Sequence, residues 1–113
     1  MYELHGYGER LWISRQVLRE YLAVVTRLQP HALSDAVTDV RRFERIFSIA
    51  EDGPSVLTEL LRLLDRVSVG GRQIHDANIV ATMLAHGINR LLTDNVSDFS
   101  RFSSVIEVVP LDG

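Results

Sequence analysis

Four side chains at the two ends of one helix–strand unit carry the oxygen atoms from which a divalent-cation site can be built. In the stretch Gln73 to Phe99, QIHDANIVATMLAHGINRLLTDNVSDF, Asp76 stands near the start of an expected helix, and Asp94, Asn95 and Asp98 follow an expected strand. Hard cations such as Mg²⁺ take oxygen ligands. Each residue also has an ordinary explanation. A carboxylate in the first turn complements the helix macrodipole or caps the helix, and Asp and Asn just past a strand mimic backbone turns. As a group they point to chemistry outside the carboxyl end of a parallel strand, where open sheets build their sites.

The elements that must hold this group are legible from periodicity. Ile74, Ala77, Ala81, Leu84, Ala85 and Ile88 recur at intervals of three and four, which marks one apolar helix face. Val80 and Met83 fall outside that face, so this helix is expected to be buried on more than one side. Gly87 supplies the left-handed stop. Leu91-Leu92-Thr93 then reads as a short strand delivering Asp94, Asn95 and Asp98.

Upstream, Met1 to Arg10 shows no clear period and is expected to be a loose lead or the tail of a helix. Leu11 to Ser14 is apolar and β-prone, a short strand. Ser14 caps a helix from Arg15 to about Arg27, with Val17, Leu18, Tyr21, Leu22, Val25 and Leu28 as its core face. Glu20 lies at the border of that face and, from spacing alone, reads as a solvated acid beside an arginine. Gln29-Pro30 ends the helix. A short helix capped by Ser34 is expected to Val40. Phe43–Ala50 reads as either helix or strand, with a strand at about Ile46–Ile49 expected because the segment must connect two helices. A helix follows over Ser55–Arg66. Gly70-Gly71 breaks a link running to Arg72. Arg101 and Phe102 share one helical turn after Phe99, and Val105–Val109 forms the last strand, stopped by Pro110. Strands alternating with helices predict a parallel sheet with helices on both faces.

Length bounds this to a single domain. There is no cysteine, so disulfides and thiolate metal sites are out and a reducing compartment fits. No signal-peptide pattern and no bilayer-length apolar run is present, and the expected location is the cytoplasm. The net charge is −3, with twelve basic residues, all arginine. That balance lacks the footprint of a passive nucleic-acid binder, although an acidic site that recruits a cation can hold a phosphodiester through it.

His75-Asp76-Ala77-Asn78-Ile79-Val80-Ala81, followed by Gly87-Ile88, Thr93-Asp94-Asn95 and Asp98-Phe99, resembles the C-terminal half of a PIN domain, most closely the VapC-like ribonuclease toxins of toxin–antitoxin pairs. The resemblance implies an α/β fold, a three-layer sandwich with a parallel sheet flanked by helices. It implies metal-ligand roles for Asp76, Asp98 and Glu20, the last in the setting Gln16-Val17-Leu18-Arg19-Glu20-Tyr21. It adds Asn95 as a ligand, Asp94 as a nearby acid able to substitute for it, and Thr93 as the residue that orients the ligands. His75 is placed to contact phosphate, or else serves as a structural histidine at a helix start. In that chemistry one or two Mg²⁺ or Mn²⁺ ions activate a water for in-line attack on RNA and stabilise the leaving oxygen. A homodimer and a cognate antitoxin are the implied partners.

One part of the family pattern is missing. It opens with a strand ending in Asp, then Thr or Ser and Asn, and Met1 to Arg10 supplies neither strand nor Asp. The expectation is a single domain over 1–113, N-terminally incomplete. It would lack its usual central strand between the Trp12 and Leu92 strands, and with it one carboxylate that upstream sequence or a partner would have to provide. A second class of function follows: a non-catalytic binding module using Tyr2, Leu4, Tyr21 and Leu22 to dock a partner helix. A nucleotide-binding α/β domain is set aside, because no glycine-rich phosphate loop is present.

Overall fold

The computed structural model describes residues 3–7 and 10–111, with residues 3–7 and 10 described by their backbone alone. The chain alternates short strands with helices: β1 (Glu3–Tyr7), β2 (Arg10–Ser14), α1 (Arg15–Leu28), α2 (Leu33–Ile46), β3 (Ser48–Ala50), α3 (Pro54–Arg66), α4 (Gln73–Ala85), β4 (Arg90–Thr93), α5 (Val96–Phe99) and β5 (Glu107–Pro110). Single 3₁₀ turns, Pro30–Ala32 and Ser100–Phe102, link α1 to α2 and follow α5.

The five strands form one sheet in the order β3-β2-β1-β4-β5. β2 pairs with β3, and β4 with β5, in parallel. β1 is antiparallel to both of its neighbours. It follows that β2, β3, β4 and β5 all point the same way and end on one edge, at Ser14, Ala50, Thr93 and Pro110. The α/β class is as expected, but the centre of the sheet is not the gap foreseen between the Trp12 and Leu92 strands. Residues 3–7 fill it, pairing with Arg10–Trp12 of β2 and with Arg90–Thr93 of β4. Because β1 runs the opposite way, its first residue, Glu3, stands opposite Thr93 on the edge where the parallel strands end. Of the residues expected to dock a partner, Tyr2 lies outside the described residues. Tyr21 is turned to internal use: its hydroxyl donates to Asp39 Oδ2 at 2.7 Å and its ring meets Phe43 edge-on.

Two boundaries differ from expectation for local reasons. The α2 helix starts at Leu33, without a side-chain cap, and runs on to Ile46. Ser34 is therefore inside it, and the following strand shrinks to Ser48–Ala50. Phe43 falls within the helix, its ring packed against Tyr21 of α1 and Phe47, and Phe47 is the extended residue that ends it. The last strand likewise begins later, at Glu107, because Val105 and Ile106 are tied by their N–H groups to the Phe102 carbonyl.

Two helical pairs, α1 with α2 and α3 with α4, pack along their lengths. The core gathers around α4, where Ala77, Ile79, Val80, Ala81, Thr82 and Met83 are all buried. Around it lie Leu63 of α3, Leu91 of β4, Ile88, Phe99 and Phe102. Gly87 ends α4 with φ of 69°, the left-handed conformation its sequence position calls for. Among the described residues no helix is long and apolar enough to cross a membrane.

Candidate active site

Topology brings the acids together. An α-helix that follows a parallel strand starts on the strand's carboxyl edge, and one that precedes such a strand starts there too, before running back. Thus α1, α4 and α5 all begin on the edge where β2 and β4 end. Glu20 lies about a turn and a half into α1, Asp76 in the first turn of α4, and Asp98 in the first turn of α5. All three line a single cavity of about 890 Å³ together with His75. A smaller cavity of about 390 Å³ adjoins it and shares Glu20, Ala23 and His75.

The ordinary explanations can be tested one by one. As a capping acid, Asp76 would bond to backbone N–H groups, yet its carboxylate makes no hydrogen bond among the described residues. The orphan donors of α4 are met instead by the preceding loop, with Gln73, Ile74 and His75 N–H donating to the carbonyls of Gly70, Gly71 and Arg72. Glu20 forms no ion pair among the described residues. Its Oε1 accepts from Gln16 Nε2 at 3.1 Å. The same Gln16 amide donates to the His75 carbonyl, also at 3.1 Å, while its Oε1 accepts from Asn78 Nδ2 at 2.8 Å. Gln16 therefore stitches α1 to the start of α4 and fixes Glu20 relative to Asp76.

Electrostatics agrees with a strained acidic cluster. Partial burial pushes the Asp76 carboxyl above the usual carboxylate range, and the neighbouring charges of Asp98 and Glu20 push it further. Arg101 and His75 act in the opposite sense and recover only part of this. A carboxylate raised by burial and like charges, inside a cavity, marks a functional site.

Asp98 is held by a short relay. The buried Thr93 hydroxyl accepts from the Asn95 backbone N–H at 3.0 Å, and Asn95 Nδ2 in turn donates to Asp98 Oδ2 at 2.5 Å. Thr93 and Asn95 are thus behind Asp98 and orient it, and Asn95 offers that acid its amide nitrogen. Asp94 is exposed and is not among the described residues lining either cavity. Sequence reasoning missed the Gln16–Asn78 bridge, which joins residues 62 apart, and the arginines of the large cavity, Arg27, Arg72 and Arg101.

As a metal site the donors fit by chemistry, since all are hard oxygens and a cation would offset both the burial and the like charges that raise Asp76. They are not drawn into one coordination sphere: among the described residues, no three acidic or histidine side chains stand close enough together to hold an ion.

The model of the PIN domain matches residues 3–105, nearly the whole chain. The chain belongs to the PIN domain family. PIN domains are generally nucleases and typically depend on divalent metal ions. The match begins within β1, so the antiparallel central strand falls inside the PIN region. No curated protein matches the chain.

Proposed function

We propose that this PIN domain is a Mg²⁺- or Mn²⁺-dependent endoribonuclease of the VapC toxin type, acting in the cytoplasm, with Glu20, Asp76 and Asp98 as the acids that hold the ion. One observation carries it: three carboxylates from three helices line one cavity, where burial first, and then the charges of Asp98 and Glu20, raise Asp76. When bound, the ion supplies a nucleophilic water at neutral pH and neutralises charge at the leaving oxygen. The chain's own part is positional. Gln16 holds Glu20 against the start of α4, the Thr93–Asn95 relay holds Asp98, and His75, exposed at the junction of the two cavities, offers its ring to a phosphate.

A homodimer and a cognate antitoxin belong to the same proposal. Leu57 and Leu61, one turn apart on α3, are 58% and 56% exposed, an apolar stripe that a second copy would cover. Light scattering over a range of concentrations tests the dimer.

The spacing of the acids favours one other reading, a non-catalytic PIN module that binds RNA or protein without an ion. Thermal unfolding with Mn²⁺ separates the two. A ligand that binds only the native state must stabilise it, by about 2.7 kcal/mol at one hundred times its Kd. The expected result is a rise in Tm for wild type, a smaller or absent rise for Asp76→Asn, and RNA cleavage that EDTA abolishes. If Mn²⁺ leaves both proteins equally unmoved, the nuclease reading fails and the binding module stands.

A further inference from the structure

Three arginines converge on a cavity whose centre is acidic, in a protein whose net charge is negative. Arg27 comes from the last turn of α1, Arg72 from the loop before α4, and Arg101 from the turn after α5. All three are exposed. Among the described residues the ion pairs are Arg15–Glu51, Arg62–Glu59 and Arg90–Glu107, so none of the three cavity arginines is neutralised by a salt bridge. Placement at a helix C-terminus accounts for Arg27 alone. For the other two it offers nothing, because Arg72 precedes its helix and Arg101 lies in a 3₁₀ turn. Guanidinium groups that reach one cavity from three elements, with their donors uncommitted, are suited to bidentate contacts with phosphate.

The second cavity gives this rim a direction. It meets the first at Glu20, Ala23 and His75, and among the described residues of its lining Arg19 is the one arginine. The two cavities share those three residues, the larger carrying three arginines and the smaller one. The larger is the size of a small-ligand site, too small for a duplex but suited to a strand whose bases are splayed apart, the form in which proteins read RNA most readily.

We propose that the two cavities form one groove for single-stranded RNA, and that Arg27, Arg72 and Arg101 grip the backbone phosphates on one side of the bond to be cut. This rests on the ribonuclease reading for its substrate, but the test does not depend on catalysis. Binding of a fluorescent twelve-nucleotide single-stranded RNA would be followed by anisotropy in EDTA over a salt series, for wild type, Arg72→Ala, Arg101→Ala and Arg45→Ala. Arg45 lies in the last turn of α2, lines neither cavity, and removes the same charge. Each phosphate contact on a single strand contributes about 0.7 to the slope of log K against log salt. Arg72→Ala and Arg101→Ala should each lose about that much, and the double variant about twice as much, while Arg45→Ala keeps the wild-type slope. Unchanged Tm values in the three variants would show that the fold is intact. A wild type that does not bind, equal losses in Arg45→Ala, unmoved slopes in the cavity variants, or a duplex bound as tightly as the single strand would each overturn the proposal. Lowered slopes in a protein that cuts no RNA with Mn²⁺ would keep the groove and remove the nuclease. Cleavage with unmoved slopes would do the reverse.

Discussion

The helices that bring Glu20 and Asp76 to the cavity are held in place by opposite means. α1 has a side-chain cap: Ser14, itself buried, accepts from Val17 N–H at 3.1 Å. Beyond that start it is half a surface helix, with only Val17 and Leu18 fully buried and Leu28 72% exposed. α4 has no side-chain cap at all, and is fixed by being buried on nearly every side. The contrast explains why Asp76 is available. A helix anchored by its packing can leave a first-turn carboxylate unbonded and directed to function, whereas a helix that depends on its cap must commit the polar group at its start.

The largest expected effect tests the packing side of this contrast. Met83 is fully buried in α4, and Met83→Ala removes most of a core side chain and leaves a cavity. The loss should be about 2–5 kcal/mol, read as a fall in the urea midpoint. Leu28→Ala, at the exposed end of α1, should stay within about 0.5 kcal/mol of wild type. Comparable losses from the two would break the comparison.

Capping is the next test. Ser14→Ala should cost about 1 kcal/mol, because Val17 N–H then has no partner in a buried setting. Arg72→Ala, at the corresponding position of α4, should cost nothing measurable, since no side-chain bond exists there to lose. Urea titration of both variants against wild type measures the difference directly. An equal loss in Arg72→Ala would show that α4 relies on its start as much as α1 does.

The same contrast decides what could be read in advance. Ser14, the amphipathic face of α1 and the stop at Gly87 are local signals, written in adjacent residues, and the structure agrees with each except at Leu28. That residue was expected on the α1 face and is exposed where the helix runs past the core. Asp76 and Asp98 were grouped from their places at the two ends of one helix–strand unit. Glu20 joined them only through the family resemblance, because nothing in local spacing tells that α1 starts on the same edge. β1 was not legible. Its glycine, Gly6, and mixed residues show no clear period of two, and the strand is fixed by the partners on either side of it, which is tertiary context overriding propensity. Gln16 was missed for a related reason. It reads as a polar residue on a helix, and only the fold shows that its amide spans to Asn78.

The smallest expected effect bears on Asp76 alone, and its sign is fixed by the direction of the shift. The folded protein holds this carboxyl above its unfolded pKa, so the ionised form is disfavoured by folding. That penalty is present in full above the folded pKa, diminishes as the pH falls through it, and is absent below the unfolded value. Asp76→Asn, measured in EDTA, should therefore have a higher Tm than wild type at neutral pH. The gap should close as the pH is lowered through the acid range. Adding Mn²⁺ should reverse the order at neutral pH, because the cation turns a repelled carboxylate into a ligand that the variant lacks. Were Asp76→Asn instead less stable at every pH, the carboxylate would be doing structural work at the start of α4, and the division between a capped helix and a packed one would not hold.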